Sequence, residues 1–190
     1  MALDPNELRA CFGRFATGVT VVTCAGDAGR PHGATVNAFT AVSLDPALCQ
    51  VTLTRSSRAA RYLDGAPFTV NILAADQLGV AVHFAGRPRE TEPVWAPGAA
   101  APVLAGTAAT ISCAPWRRYD GGDHLLVLGE VTGITVTDRP PLLFFGGQFH
   151  QLGERSHGSP WLGSLDCPSS GWFQPETTFT PRRRSAPLAG

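Results

Sequence analysis

No apolar run in the 190-residue chain reaches the length of a membrane span, and neither sign of charge prevails, with 15 Lys and Arg against 15 Asp and Glu. The first absence argues against a transmembrane helix. The second, with a pI near 6.9, removes the positive field that would hold nucleic acid or an anionic membrane surface. Several signatures are also missing. There is no G-x-G-x-x-G after a first strand, no G-x-S-x-G elbow, no G-x-x-x-x-G-K loop and no H-E-x-x-H, which removes the usual grounds for a Rossmann dinucleotide domain, a serine hydrolase, an NTPase or a zinc protease. His32, His83, His124, His150 and His157 form no paired ligand spacing with cysteine, so no metal is expected. Cys11, Cys24, Cys49, Cys113 and Cys167 are odd in number, far apart in sequence and without a C-x-x-C pair. They are expected as reduced thiols, mostly small buried apolar side chains. The start, Met1 to Glu7, is polar and acidic rather than a signal peptide, and the expectation is a soluble, cytoplasmic protein.

What is present is enough apolar content, 44%, for one good core in one domain. Asp4-Pro5-Asn6-Glu7 reads as a helix start, with Asp4 as cap, Pro5 at the first helical position and Glu7 reaching back. Leu8, Cys11, Phe12 and Phe15 follow at helical spacing, so this helix is expected to cover one side of the core. Val19 to Cys24 is a β-branched run before the turn-rich Ala25 to Pro31, which predicts a hairpin. Further strands are expected over 48–53, 68–73, 108–113, 125–137 and 142–145, and short helices over 57–63 and 76–85. In the second helix Leu78, Val82 and Ala85 share a side and Gly86 ends it. Strands that follow one another through turns, without strand-helix alternation, favour an antiparallel barrel over a doubly wound sheet. Residues 87–107 read as a long Pro/Ala/Gly-rich loop. The expected domain spans 1–154, with 155–190 as a Gly/Pro/Ser-rich extension.

The chemistry concentrates in two words. Gly33 to Pro46 offers small side chains on extended backbone, where a flat ring can approach main-chain amides. Thr54-Arg55-Ser56-Ser57-Arg58 gathers hydroxyls, guanidinium groups and amides at a helix start, which suits a phosphate. Taken alone, the first word also suits an ordinary half-buried strand and the second a solvated polar turn. Other words follow in a fixed order: Arg14-Phe15-Ala16-Thr17-Gly18-Val19-Thr20-Val21-Val22-Thr23, then Phe68-Thr69-Val70-Asn71-Ile72-Leu73, Gly122-Asp123-His124, and Pro141 to Phe149.

In that order these words resemble the short-chain NAD(P)H:flavin oxidoreductases, the reductase partners of two-component flavin monooxygenases. The resemblance covers about residues 6–153. It implies a mostly β fold, a split β-barrel with a few short helices, and a homodimer. It implies FAD or FMN, reduced by NADH or NADPH, with reduced flavin passed to a separate monooxygenase. By resemblance Thr35, Val36, Asn37, Ala38 and Phe39 lie along the flavin ring, with Ser43 in the same word. Thr54, Arg55, Ser56, Ser57 and Arg58 then take the phosphate, and His83 and Phe84 stand beside the ribityl arm. His124 is the candidate catalytic residue, at the nicotinamide end, and Phe144, Gly147 and Phe149 close the site there. The family commonly carries another hydroxyl residue near Arg58 or Ala59, a departure in this chain. The alternative is a split-barrel oxidase, or a flavin carrier that keeps its reduced flavin, since fold does not fix function.

Overall fold

The computed structural model describes residues 3–87, 92–98 and 100–154. The tail expected to begin at 155, with Cys167 and His157, lies outside the described residues. Pro5–Phe12 forms α1 because Asp4 caps it, its carboxylate accepting the Asn6 amide at 2.9 Å, and Pro5 occupies its first turn. The elements that follow in chain order are β1 (Thr17–Gly18), β2 (Thr20–Ala25), β3 (Pro31–Val36), β4 (Phe39–Leu44), β5 (Ala47–Thr54), α2 (Arg58–Tyr62), β6 (Phe68–Ile72), α3 (Leu78–Phe84), β7 (Trp95–Ala96), β8 (Val103–Leu104), β9 (Ala109–Gly121), β10 (His124–Val136), β11 (Leu143–Phe145) and β12 (Gln148–His150).

Seven strands make one sheet in the order β3-β2-β6-β9-β10-β5-β4, every neighbouring pair antiparallel. Its two edge strands, β3 and β4, are consecutive in the chain and joined only by Asn37 and Ala38. Among the described residues no ladder links them, so the wall of the barrel is split along a seam; on its β4 side the Thr52 amide of β5 donates to the Ala38 carbonyl at 3.0 Å, continuing the β4–β5 pairing. The mostly β split barrel expected from the sequence is therefore the fold. Gly33 to Pro46 is not one strand with a turn but the two strands that border the seam.

β2 explains why Val19 to Cys24 carries no polar alternation: both of its faces are covered. Val22 and Cys24 point into the barrel with Val51, Leu53, Phe68, Val70, Cys113, Leu125 and Val127. Val19 and Val21 point outward into a second core with Leu73, Ala81, Leu104 and Leu142. Fully buried Asn71 ties the layers, its amide donating to the Val21 carbonyl and Thr23 Oγ1 at 2.9 Å while its carbonyl accepts the Leu104 amide at 2.9 Å.

Four expectations change. α1 forms but covers no core: none of its residues is buried, and Phe12 and Phe15 are 70% and 78% exposed. α3 turns Val80, Ala81 and Phe84 to the core, rather than the side shared by Leu78, Val82 and Ala85. The strand expected over 108–113 runs on to Gly121. Pro115, which lacks an N–H for the ladder, is accommodated where the register against β10 shifts and Trp116 is the extra residue. The long loop contains a short hairpin, β7 against β8, which brings Trp95 edge-on to Phe84 at 6.0 Å. Two cysteines far apart in sequence meet in space: Cys49 and Cys113 Sγ lie 3.5 Å from each other inside the barrel, where Gly129, paired with Cys49, has no side chain. Cys11 is exposed rather than buried, and all four described thiols are free.

Candidate functional site

A cavity of about 430 Å³ opens at the seam, lined by Thr35, Val36, Asn37, Ala38, Thr52, Thr54, Gly121 and His124. Strand alternation puts these residues together. On β5, Cys49, Val51 and Leu53 are buried in the barrel, so Thr52 and Thr54 face outward. On β10, Leu125 and Val127 are buried and His124 faces outward, paired in register with Thr54 on one side and Gly121 on the other. The cavity is thus a recess in the outer wall, floored by two threonines, with the seam on one flank and the β9–β10 turn on the other.

The seam supplies donors. The Val36 carbonyl accepts Thr20 Oγ1 at 2.8 Å and the Ala38 carbonyl accepts the Thr52 amide at 3.0 Å. Neither the Asn37 nor the Ala38 amide donates to a protein group among the described residues. Both residues are exposed. Edge strands leave such groups unpaired, and here they border a cavity whose wall carries no fixed charge. Thr35 contributes backbone rather than hydroxyl, because its Oγ1 donates to the Ala81 carbonyl at 2.7 Å and fastens β3 to α3.

The turn supplies the one titratable side chain in the cavity wall. His124 Nδ1 lies 2.7 Å from Asp123 Oδ1. A carboxylate only accepts, so Nδ1 carries the proton, leaving Nε2 toward Thr54 Oγ1 at 3.3 Å. The hydrogen bond with His124 holds the Asp123 carboxyl below the ordinary carboxylate range. Asp120 is depressed as well, first by the Gly122 amide and then by the charge of Arg55.

The structure therefore brings together Thr35, Val36, Asn37, Ala38, Thr54 and His124 from the expected set. Thr52 and Gly121 were not foreseen; Thr52 was readable as the residue one strand period before Thr54, whereas only the pairing of β9 with β10 places Gly121 opposite His124. Other expected residues stand elsewhere in this chain. The Arg55 guanidinium is taken up by the β9–β10 turn, through Gly122 O at 3.1 Å and Asp120 Oδ2 at 2.8 Å. Ser57 is the cap of α2, accepting the Ala60 amide at 3.1 Å, and exposed Ser56 and Arg58 flank it. Phe39 packs against the barrel core and Ser43 pairs with Leu48. Phe84 fills the space a side chain at Gly33 would need, and His83 leaves its Nδ1 buried without a partner. Phe144 and Phe149 meet edge to face at 5.3 Å and pack on the second core, held there by the hairpin turn in which Gly146 and Gly147 adopt positive φ.

Residues 12–153 match the family model of the flavin reductase like domain. The chain is 39% identical over 84% of its length to the NADH-dependent flavin reductase of a Rhodococcus species, covering 93% of that protein. Among solved structures, the NADH:FAD oxidoreductase SgcE6 of Streptomyces globisporus, in complex with NAD and FAD fragments, superposes with a TM-score of 0.73 at 36% identity, over 83% of this chain and 99% of that one. BorF, the flavin reductase component of a bacterial two-component tryptophan halogenase, gives a TM-score of 0.71 at 42% identity, over 80% of this chain and all of BorF.

Proposed function

This chain belongs to the flavin reductase like family, and from that membership we propose that it is an NADH-dependent reductase that reduces FAD or FMN and yields reduced flavin to a separate oxygenase. The observation that carries the reading is the juxtaposition at the seam: Asn37 and Ala38, whose backbone amides donate to no protein group among the described residues, line the same cavity as His124.

The residues present fit a flavin. Asn37 and Ala38 N–H groups suit the carbonyl and nitrogen edge of the ring, and fixed donors at that edge favour the extra negative charge that accompanies reduction. The bound flavin supplies a hydride acceptor, and the cofactors rather than the protein carry the electronics. Thr52 and Thr54, on one face of β5, form the floor on which the ring would lie. Gly121 stands opposite His124 in the β9–β10 pairing, and Leu126 takes up the space a side chain there would need. His124 is placed to orient the nicotinamide end, since hydride transfer gains chiefly from alignment of the reacting atoms. Ser56, Ser57 and Arg58 at the start of α2 are the phosphate side of this reading, and His83 and Phe84 support β3 from behind.

A homodimer completes it. Leu44, Val42, Ile134 and Val136 are exposed on the barrel, and Phe12 and Phe15 beside it; apolar exposure of this kind marks an interaction surface. In a dimer, Phe144, Gly147 and Phe149 belong with the partner's cavity as well as their own hairpin. Among the described residues no helix is long and apolar enough to cross a membrane, which is consistent with a cytoplasmic enzyme. Residues 1–154 are the catalytic domain and 155–190 an extension. The test is anaerobic stopped-flow absorbance with FMN or FAD and NADH or NADPH. Stoichiometric bleaching of flavin with nicotinamide oxidation is expected; flavin that binds and is not reduced would leave a carrier or an oxidase instead.

A further inference from the structure

Arg55 stands in the polar word that suggests a phosphate site, yet its polar groups are directed at the opposite strand. Its Nε and Nη2 donate to the Gly122 carbonyl at 3.2 and 3.1 Å, Nη2 donates to Asp120 Oδ2 at 2.8 Å, and Nη2 reaches the His124 carbonyl at a long 3.5 Å. Its backbone amide donates to the Asp123 carbonyl at 3.0 Å. One residue therefore addresses the carbonyls of Gly122, Asp123 and His124 in succession. Asp120 closes the loop from the other side, its Oδ1 accepting the Gly122 amide at 2.8 Å. The preceding residue, Thr54, meets the His124 imidazole itself.

Gly122, at φ +76°, has no side chain of its own to anchor the turn, and the bonds that hold it come from Asp120 and Arg55. Only a planar, forked cation reaches a carboxylate and a carbonyl at once in fixed geometry. We infer that Arg55 is a positioning residue: with Asp120 it clamps the β9–β10 turn and so fixes where His124 stands in the cavity, rather than binding flavin phosphate. This rests on the proposed function for its kinetic consequence, and on the hairpin geometry alone for its structural one.

The test uses the full chain with Arg55→Ala, Arg55→Lys and Asp120→Asn, each assayed with NADH against both FMN and riboflavin. Arg55→Ala is expected to lower kcat/KM for NADH about tenfold while moving the flavin KM less than about twofold, because alignment and not binding is lost. FMN and riboflavin should respond alike. Arg55→Lys, which keeps the charge without the fork, should fall between, and Asp120→Asn should add little on top of Arg55→Ala because both act through one clamp. A flavin KM that rises for FMN and not for riboflavin would make Arg55 a phosphate ligand and overturn the inference, as would unchanged NADH kinetics. If the wild-type protein binds flavin but NADH does not reduce it, the proposed function falls, and the clamp is then read from the ligand-free protein by NMR. Faster exchange of the Gly122 amide and a changed His124 ring tautomer in Arg55→Ala sustain the clamp; unaltered signals overturn it.

Discussion

At the scale of single residues, the decisive distinction is between groups whose hydrogen bonds are spent and groups left open. The Thr35 hydroxyl is committed to α3 and the Thr54 hydroxyl meets the imidazole, whereas the Asn37 and Ala38 amides donate to no protein group among the described residues. His124→Ala is expected to raise the KM for NADH or lower turnover while sparing flavin affinity, measured by steady-state kinetics beside flavin titration; equal loss of both would mean the wall itself has collapsed. Asn71→Ala removes the acceptor of a buried Leu104 amide and two donor contacts, and should destabilise the fold by about 2–4 kcal/mol in urea unfolding. The acid limb follows from Asp120. Its carboxyl lies below the ordinary 3.8 in the folded chain, so ionised Asp120 favours folding above that value, and the contribution disappears as pH falls through the lower folded pKa. Wild type should therefore exceed Asp120→Asn in urea midpoint at pH 6, and the two should converge as the pH is taken below 3.8. The chain has no lysine, its 15 basic side chains all being arginine. Every fixed cation is thus a fork rather than a point charge, as the clamp on the turn requires.

At the scale of elements, the seam is the feature from which the site follows. β3 and β4 are edges, and among the described residues the amides of the two residues between them donate to no protein group, since no β3–β4 ladder forms across the seam. The strands that floor the cavity hold their register through close packing on the inner side. A methyl at Gly129 would come within 2.6 Å of the Phe68 ring and 2.7 Å of Cys113 Cβ. Gly129→Ala is expected to cost about 1–3 kcal/mol by overpacking, and because it displaces β10 against β5 it should weaken flavin binding as well, seen by titration of flavin fluorescence. The Cys113 thiol is pushed up by its contact with Cys49 and by burial, and Cys24 is pushed up to about 11 by burial, so these two thiols serve as packing groups. The strand endings were the least legible part of the sequence. Pro115 hides the continuation of β9 because a bulge, invisible locally, removes the penalty of its missing N–H.

At the scale of the whole molecule, Phe12, Phe15, Leu44, Ile134 and Val136 are large apolar side chains left exposed, the kind of exposure that the proposed homodimer would cover. Light scattering is expected to give twice the 20.0 kDa chain mass; a monomer would detach Phe144 and Phe149 from any role at a neighbouring cavity. What the sequence determined by itself was the antiparallel barrel, through short β-branched runs separated by turn residues; Thr35 to Ala38 stood out as small side chains on an extended chain, and that they line a cavity is a matter of the fold. His124 was legible through the word around it. What only the tertiary structure decided was which polar groups remain available. Ser57, Arg55 and Asp120 present the same donors and acceptors in any conformation, and Arg55 reads as one more open guanidinium in a polar turn until another strand's hairpin is found to take it up. Hydrogen-bond capacity is a property of a residue, whereas its use is settled by the neighbours that folding brings within 3 Å or so, and at Arg55 those neighbours are more than sixty residues away in sequence.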